Sequence, residues 1–161
     1  MRNWIYLIGS LLLFISIAAC GGPESPEDFV ARLSAAVASE DEEALWETFM
    51  DKQQLKQFME AMPRMAGEPT DENVDQVWAA MNEDRGNQLR RYNRNFDLLW
   101  WNMQPDSIFL EEAPPEMIAV KNVTPAKLIL TYREGDQQEQ FGLSIVRFGN
   151  GKWQQFEYPD R

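Results

Sequence analysis

Apolar positions in this chain recur at helical spacing up to about residue 103 and alternate from about residue 117 onward. Ser25 can cap a helix that Pro26 opens, with Asp28 three residues after the cap. Phe29, Val30, Leu33, Ala36 and Val37 form its apolar stripe. Leu45, Trp46, Phe49 and Met50 predict a second, short helix. Leu55, Phe58, Met59 and Met62 predict a third, which Pro63 cannot continue. Thr70 or Asp71 can cap a fourth, with Val74, Val77, Trp78 and Met81 as its buried stripe. The period resumes beyond Gly86 with Leu89, Tyr92, Phe96, Leu99 and Trp100, and ends near Met103 and Pro105. Gly86 is the place where this long helical stretch can break.

After Pro105 the pattern shifts. Ser107–Glu112 suits a strand or one helical turn, and Pro114-Pro115 ends it. Met117–Val123 is apolar and rich in β-branched residues and is expected as a strand, followed by a turn at Thr124-Pro125. Leu128, Leu130 and Tyr132 alternate with Ile129 and Thr131, and Glu134-Gly135-Asp136 is a turn. Phe141, Leu143 and Ile145 share one face of a longer strand, with Val146 and Phe148 shifted by a bulge. Asn150-Gly151 predicts a type I′ hairpin, and Trp153–Tyr158 the last strand. Helices first and a meander of strands after them argue an α+β fold, with the helices on one face of the sheet.

The first 20 residues have a different logic. Arg2 is the only charge before Cys20, Ile5–Ile17 is an apolar run, and Ala18-Ala19 precede the only cysteine. A basic start, an apolar core of roughly 7–15 residues and small residues at the cut make a secretory signal. The run is shorter than the ~20 residues a spanning helix needs. Ile17-Ala18-Ala19-Cys20 resembles the bacterial lipoprotein lipobox. That resemblance implies cleavage after Ala19 and attachment of a diacylglyceryl group and a fatty acyl chain to Cys20. Each buried methylene is worth ~0.8 kcal/mol, so several chains on one residue anchor a domain that has no spanning helix. It divides the chain into a signal peptide (1–19), a lipidated tether (20–25) and one α+β domain (26–161). Gly21–Ser25 has too few apolar groups to pack and reads as a flexible spacer. Gly21 stands where aspartate would retain a lipoprotein in the inner membrane. The resemblance therefore implies the outer membrane, with the domain facing the periplasm, or, in a Gram-positive bacterium, the outer leaflet of its only membrane.

Charge and residue types narrow the functions. With 15 Lys+Arg against 26 Asp+Glu the net charge is −11. Phosphate backbones repel such a surface, so nucleic acid is not an expected partner. The absence of histidine removes the commonest general base and metal ligand, and with it Ser-His-Asp, Cys-His and His-containing zinc chemistry. No S-x-x-K motif suggests a Ser-Lys pair. Glu40-Asp41-Glu42-Glu43 lacks the alternating ligands and glycine of a calcium loop and suits a helix start. Met50, Met59, Met62 and Met65 offer soft thioethers to copper, but as a set without histidine or free thiol they read as core filling. No cofactor is expected.

Glu27-Asp28-Phe29-Val30 and Asp41-Glu42-Glu43-Ala44-Leu45-Trp46, each opening a helix, and Gly151-Lys152-Trp153, opening the last strand, resemble the cystatin-like cone fold of the ketosteroid-isomerase superfamily. That likeness implies helices and a curved sheet around an apolar cavity, which Tyr92, Asp97, Trp100, Trp101 and Tyr132 can line. The plainer reading makes the aromatics core, leaves Asp97 exposed and sets Trp101 at the core boundary, since adjacent helical residues point about 100° apart. An exposed tryptophan would instead serve sugar stacking or protein contact. The expectation is a lipid-anchored, non-catalytic envelope protein that binds another envelope protein or a small apolar or sugar ligand. A ligand-binding or enzymatic cone with an apolar pocket is the alternative.

Overall fold

The computed structural model describes residues 22–63, 69–83, 85–95 and 101–156. The expected signal peptide and Cys20 lie outside these, as do Gly21, Met65, Phe96, Asp97, Leu99 and Trp100. Among the described residues no helix is long and apolar enough to cross a membrane.

Helix α1 (Pro26–Ala38) starts where the sequence places it, with the Ser25 hydroxyl oxygen accepting from the Asp28 amide at 3.1 Å. All five residues of its stripe are buried. Full burial of a side chain such as Phe29 or Leu33 contributes about 1.5–3 kcal/mol, so this face alone fixes the helix to the sheet. Its exit is a Schellman turn. Glu40 N donates to Val37 O and Asp41 N to Ala36 O, with Glu40 at φ +54°. Asp41 then caps α2 (Glu42–Trp46), so the acidic cluster is a helix start. Helix α2 is shorter than expected: Phe49 and Met50 lie beyond it. The chain there runs parallel to the last strand, with Gln155 N donating to Thr48 O and Met50 N to Gln155 O. These backbone bonds replace a further helical turn.

Helix α3 (Lys52–Ala61) opens with a reciprocal capping box between Asp51 and Gln54. Thr70 starts α4 (Asp71–Glu83), its hydroxyl accepting from Asn73 N. Here the expected stripe thins out. Val74 is buried, Trp78 and Met81 are half-buried, and Val77 is exposed. Helix α4 lies at the periphery on α3, tied by Lys52–Asp75 and Lys56–Asp71, and buries only a narrow edge. The long helical stretch does break at Gly86: a 3₁₀ turn (Arg85–Asn87) separates α4 from α5 (Gln88–Asn95).

Four antiparallel strands follow in the order β1-β2-β3-β4. They are β1 (Ser107–Glu112), β2 (Val123–Glu134), β3 (Gln137–Phe148) and β4 (Trp153–Gln155). This meets the α+β expectation, but the helices are divided between both faces of the sheet rather than packed on one. Three local expectations are corrected. Residues 117–122 are not a strand: Pro115–Met117 is a 3₁₀ turn, and a loop carries the chain to β2. Thr124-Pro125 is not a turn but lies inside β2. Pro125 is tolerated because its carbonyl, accepting from Ala113 N, points to the side where β1 has already ended. Its missing N–H points the same way and interrupts no ladder. The third correction is that β2 and β3 pair without a bulge from Val123↔Phe148 to Glu134↔Gln137. Val146 is buried because the second face of the sheet is also covered at that end.

The two faces hold two cores. Ile108, Leu110, Leu128, Leu130, Tyr132, Phe141, Leu143 and Ile145 meet α1, α2 and Tyr92 of α5. Val123, Val146 and Phe148, of opposite alternation, meet Met50, Leu55, Phe58, Met59 and Met62 around α3. Those three methionines are therefore packing groups. The β3–β4 connection also differs from expectation. Gly149 takes φ +58° and Gly151 N donates to Phe148 O, so glycine occupies the first central position, as in a type II′ turn. Finally, the tether is not free along its length. Glu24 reaches Arg32 in a two-pronged ion pair (3.1 and 3.2 Å), and its carboxylate accepts from Trp153 N at 2.6 Å. Arg32 in turn donates to Trp153 O at 2.8 Å. Charge and backbone hydrogen bonds dock a segment that hydropathy marks as unable to pack.

Candidate functional site

Of the five residues expected to line a pocket, Asp97 and Trp100 lie outside the described residues. The other three come together. Tyr92 and Trp101 stand 5.4 Å apart between ring centroids, Trp101 and Phe141 5.2 Å, and Phe141 stacks on Tyr132 at 5.9 Å. They form a continuous aromatic core rather than a lining, for Tyr92 and Tyr132 are fully buried and Trp101 is 2% exposed. Trp101 is thus central, not at the core boundary. The physical reason is packing from two elements: the Trp101 ring meets Tyr92 of α5 on one side and Phe141 of β3 on the other, and together they close over it.

One chain of polar groups inside this core is neutral and paired throughout. Tyr92 OH donates to Gln155 Oε1, Gln155 Nε2 donates to Thr48 Oγ1 at 2.5 Å, and Thr48 Oγ1 donates to Leu45 O at 2.6 Å. This relay joins α5, β4 and the end of α2. It holds no carboxylate or amine and is built for positioning. Burial pushes the Tyr132 phenol up to about 12, and the Ser34 hydroxyl opposes that shift. Among the described residues no group of three or more Cys, Asp or Glu is placed to hold a metal ion.

The concave apolar feature lies elsewhere, on the α3 side of the sheet. Phe58 and Phe156, 4.5 Å apart and tilted, and Met62 form one side of a groove of about 220 Å³. Pro114 and Pro125 form part of the other side, and Glu111, Lys127 and Ser144 contribute polar groups. Lys127 stands opposite Glu111 in one ladder and Ser144 in the other. A Cβ at Gly142 would come within 2.6 Å of Lys127 Cε, so this glycine lets the lysine stem lie across β3. One pleat repeat along β1 from Glu111, about 6.6 Å, the same face carries Phe109, 59% exposed. Strand β1 is the edge of the sheet. The other end strand, β4, is covered: beside the backbone bonds to Thr48 and Met50, the Gln154 side-chain amide faces the carbonyls of Glu47, Thr48 and Phe49, which assigns its nitrogen, the only donor, to them.

Sequence reasoning missed the groove. Its prolines read as turns, and Phe58 and Met62 as ordinary core. The only available signal was Pro125 between two runs of strand-forming residues. No family model matches the chain, and neither a curated protein nor a solved structure matches it.

Proposed function

We propose that this is a lipid-anchored protein of the bacterial cell envelope whose domain binds an extended apolar segment of another envelope protein and performs no chemistry. The signal segment and the Ile17-Ala18-Ala19-Cys20 motif support the anchor. Gly21 after the cysteine favours the outer membrane, with the domain in the periplasm.

One observation carries the binding reading: Tyr92, Trp101 and Tyr132, expected to line a cone pocket, fill the core, while an apolar groove opens on the surface beside a sheet edge that no strand among the described residues pairs. Small-molecule sites usually enclose roughly 300–1,000 Å³. A shallow groove of about 220 Å³ is better matched to a few side chains of a peptide segment. The neighbouring edge can pair with that segment's backbone, and Phe109 can pack on its side chains. Glu111-Glu112 at the end of β1 discourage pairing with further copies of this acidic chain.

The test replaces Phe109 with a photo-crosslinking phenylalanine in the full-length protein in cells. A discrete adduct to one envelope protein, weakened when Ala113→Trp fills the groove from a position outside the buried core, is the expected result. Adducts equally strong at Asp136 in the β2–β3 turn would overturn the site.

A further inference from the structure

Two hydrogen bonds gather three distant segments at one end of the molecule. Glu24 N donates to Gly151 O at 3.4 Å, which puts the N-terminal segment on the β3–β4 turn. Gly149 N donates to Asn122 O at 2.7 Å, which puts that turn on the loop between β1 and β2. The same loop exposes two apolar side chains, Met117 at 43% and Val120 at 40%. The loop and the turn also expose Lys121 and Lys152.

Glu24 is held on both sides, by Arg32 and by Trp153 N, so the leash to Cys20 is short. Consecutive Cα atoms are 3.8 Å apart, so Cys20 lies within about 15 Å of Glu24. The long axis of the sheet has an electrical direction as well. Twelve residues of strand span ~40 Å. At the far end the β2–β3 turn carries Glu134, Asp136 and Glu139, with Arg133 as the nearby cation. At the near end Lys121 and Lys152 stand against Glu27, Asp28 and Glu116, and the Glu24 and Arg32 charges offset each other.

We propose that the end bearing Glu24, the β3–β4 turn and the Ala113–Asn122 loop faces the lipid bilayer, with Met117 and Val120 at the headgroup–acyl boundary and Lys121 and Lys152 toward anionic headgroups. The Glu24–Arg32 clamp turns a lipid tether into an orienting joint. It leaves too little slack for the acidic far end to approach the membrane. Apolar side chains flanked by lysines are the usual chemistry of a surface that rests in the interface. This inference rests on acylation of Cys20.

Full-length protein purified with its anchor is placed in phosphatidylethanolamine and phosphatidylglycerol vesicles that carry acyl-chain quenchers. Acylation consumes the native thiol, so Val120→Cys and Asp136→Cys each give a single labelling position. Quenching of the dye is expected to be several-fold stronger at 120 than at 136. Glu24→Ala, which lengthens the leash, is expected to shrink that difference. Equal quenching at the two positions, in protein that floats with the vesicles, would overturn the orientation and leave the anchor standing. Protein that does not float and whose N-terminal peptide carries no acyl mass would overturn the anchor, and the orientation with it.

Discussion

Tyr132 sits on the inner face of β2 against Phe141, where its neutral phenol is at home and a phenolate is not. Burial raises its folded value from 10.0 to about 12. The unfolded chain therefore loses its proton first. The stabilisation is fully present below pH 10 and is lost as pH rises toward 12. Alkaline titration followed by phenolate absorbance should show Tyr132 ionising together with unfolding, and Tyr132→Phe should remove that component. An early, independent ionisation would show the ring to be wet. Gln155 carries a different burden, since it satisfies both Tyr92 and Thr48. Gln155→Leu should cost about 1–3 kcal/mol in denaturant unfolding, because the buried Tyr92 hydroxyl loses the acceptor, and the Thr48 hydroxyl the donor, that Gln155 supplies. Neither role was legible in the sequence. Tyr132 was visible as an inward strand residue, but its enclosure comes from Phe141 on another strand.

At the scale of elements, local signals were accurate where one residue acts on its own backbone. Ser25 and Thr70 cap helices where the sequence places them, because their side-chain oxygens accept from the amides of Asp28 and Asn73 three residues on, a contact within one turn. The exit of α1 is a counterexample with a consequence. Glu40 takes a left-handed conformation that costs a non-glycine residue about 1–2 kcal/mol. Its hydrogen bonds are made by backbone atoms, so glycine keeps them. Glu40→Gly should stabilise the protein by up to about 1 kcal/mol in thermal or chemical unfolding, and a destabilised variant would mean that the carboxylate has an essential partner. Strand limits were less legible. Pro125 reads as a turn in sequence, yet the strand passes through it because its neighbour β1 stops one residue short. Val77 belongs to the helical period of α4 but stays exposed, since periodicity states that a helix has an apolar side and not how much of it a neighbour covers.

For the whole molecule the decisive experiment is simple. Cys20→Ala should move the protein from the membrane to the soluble fraction while leaving its thermal unfolding unchanged. Retention of the variant in membranes would remove the anchor reading. A net charge of −11 repels anionic headgroups, so charge is not expected to hold the variant there in place of the acyl chains.

By itself, the sequence determined what depends on near neighbours in the chain: the helical and strand periods, the caps, the acidic balance and the lack of histidine. These determined the α+β class, because short-range spacing suffices for it, whereas the proposed envelope reading rests on the resemblance of Ile17-Ala18-Ala19-Cys20 to a lipobox. Tertiary structure alone decided what requires distant residues to meet. It made Trp101 and Tyr92 core, opened a groove between α3 and the end of β1, and docked Glu24 on β4. The reason is geometric. Burial and concavity belong to the packing of two or more elements, and a linear pattern records only which side of each element is apolar.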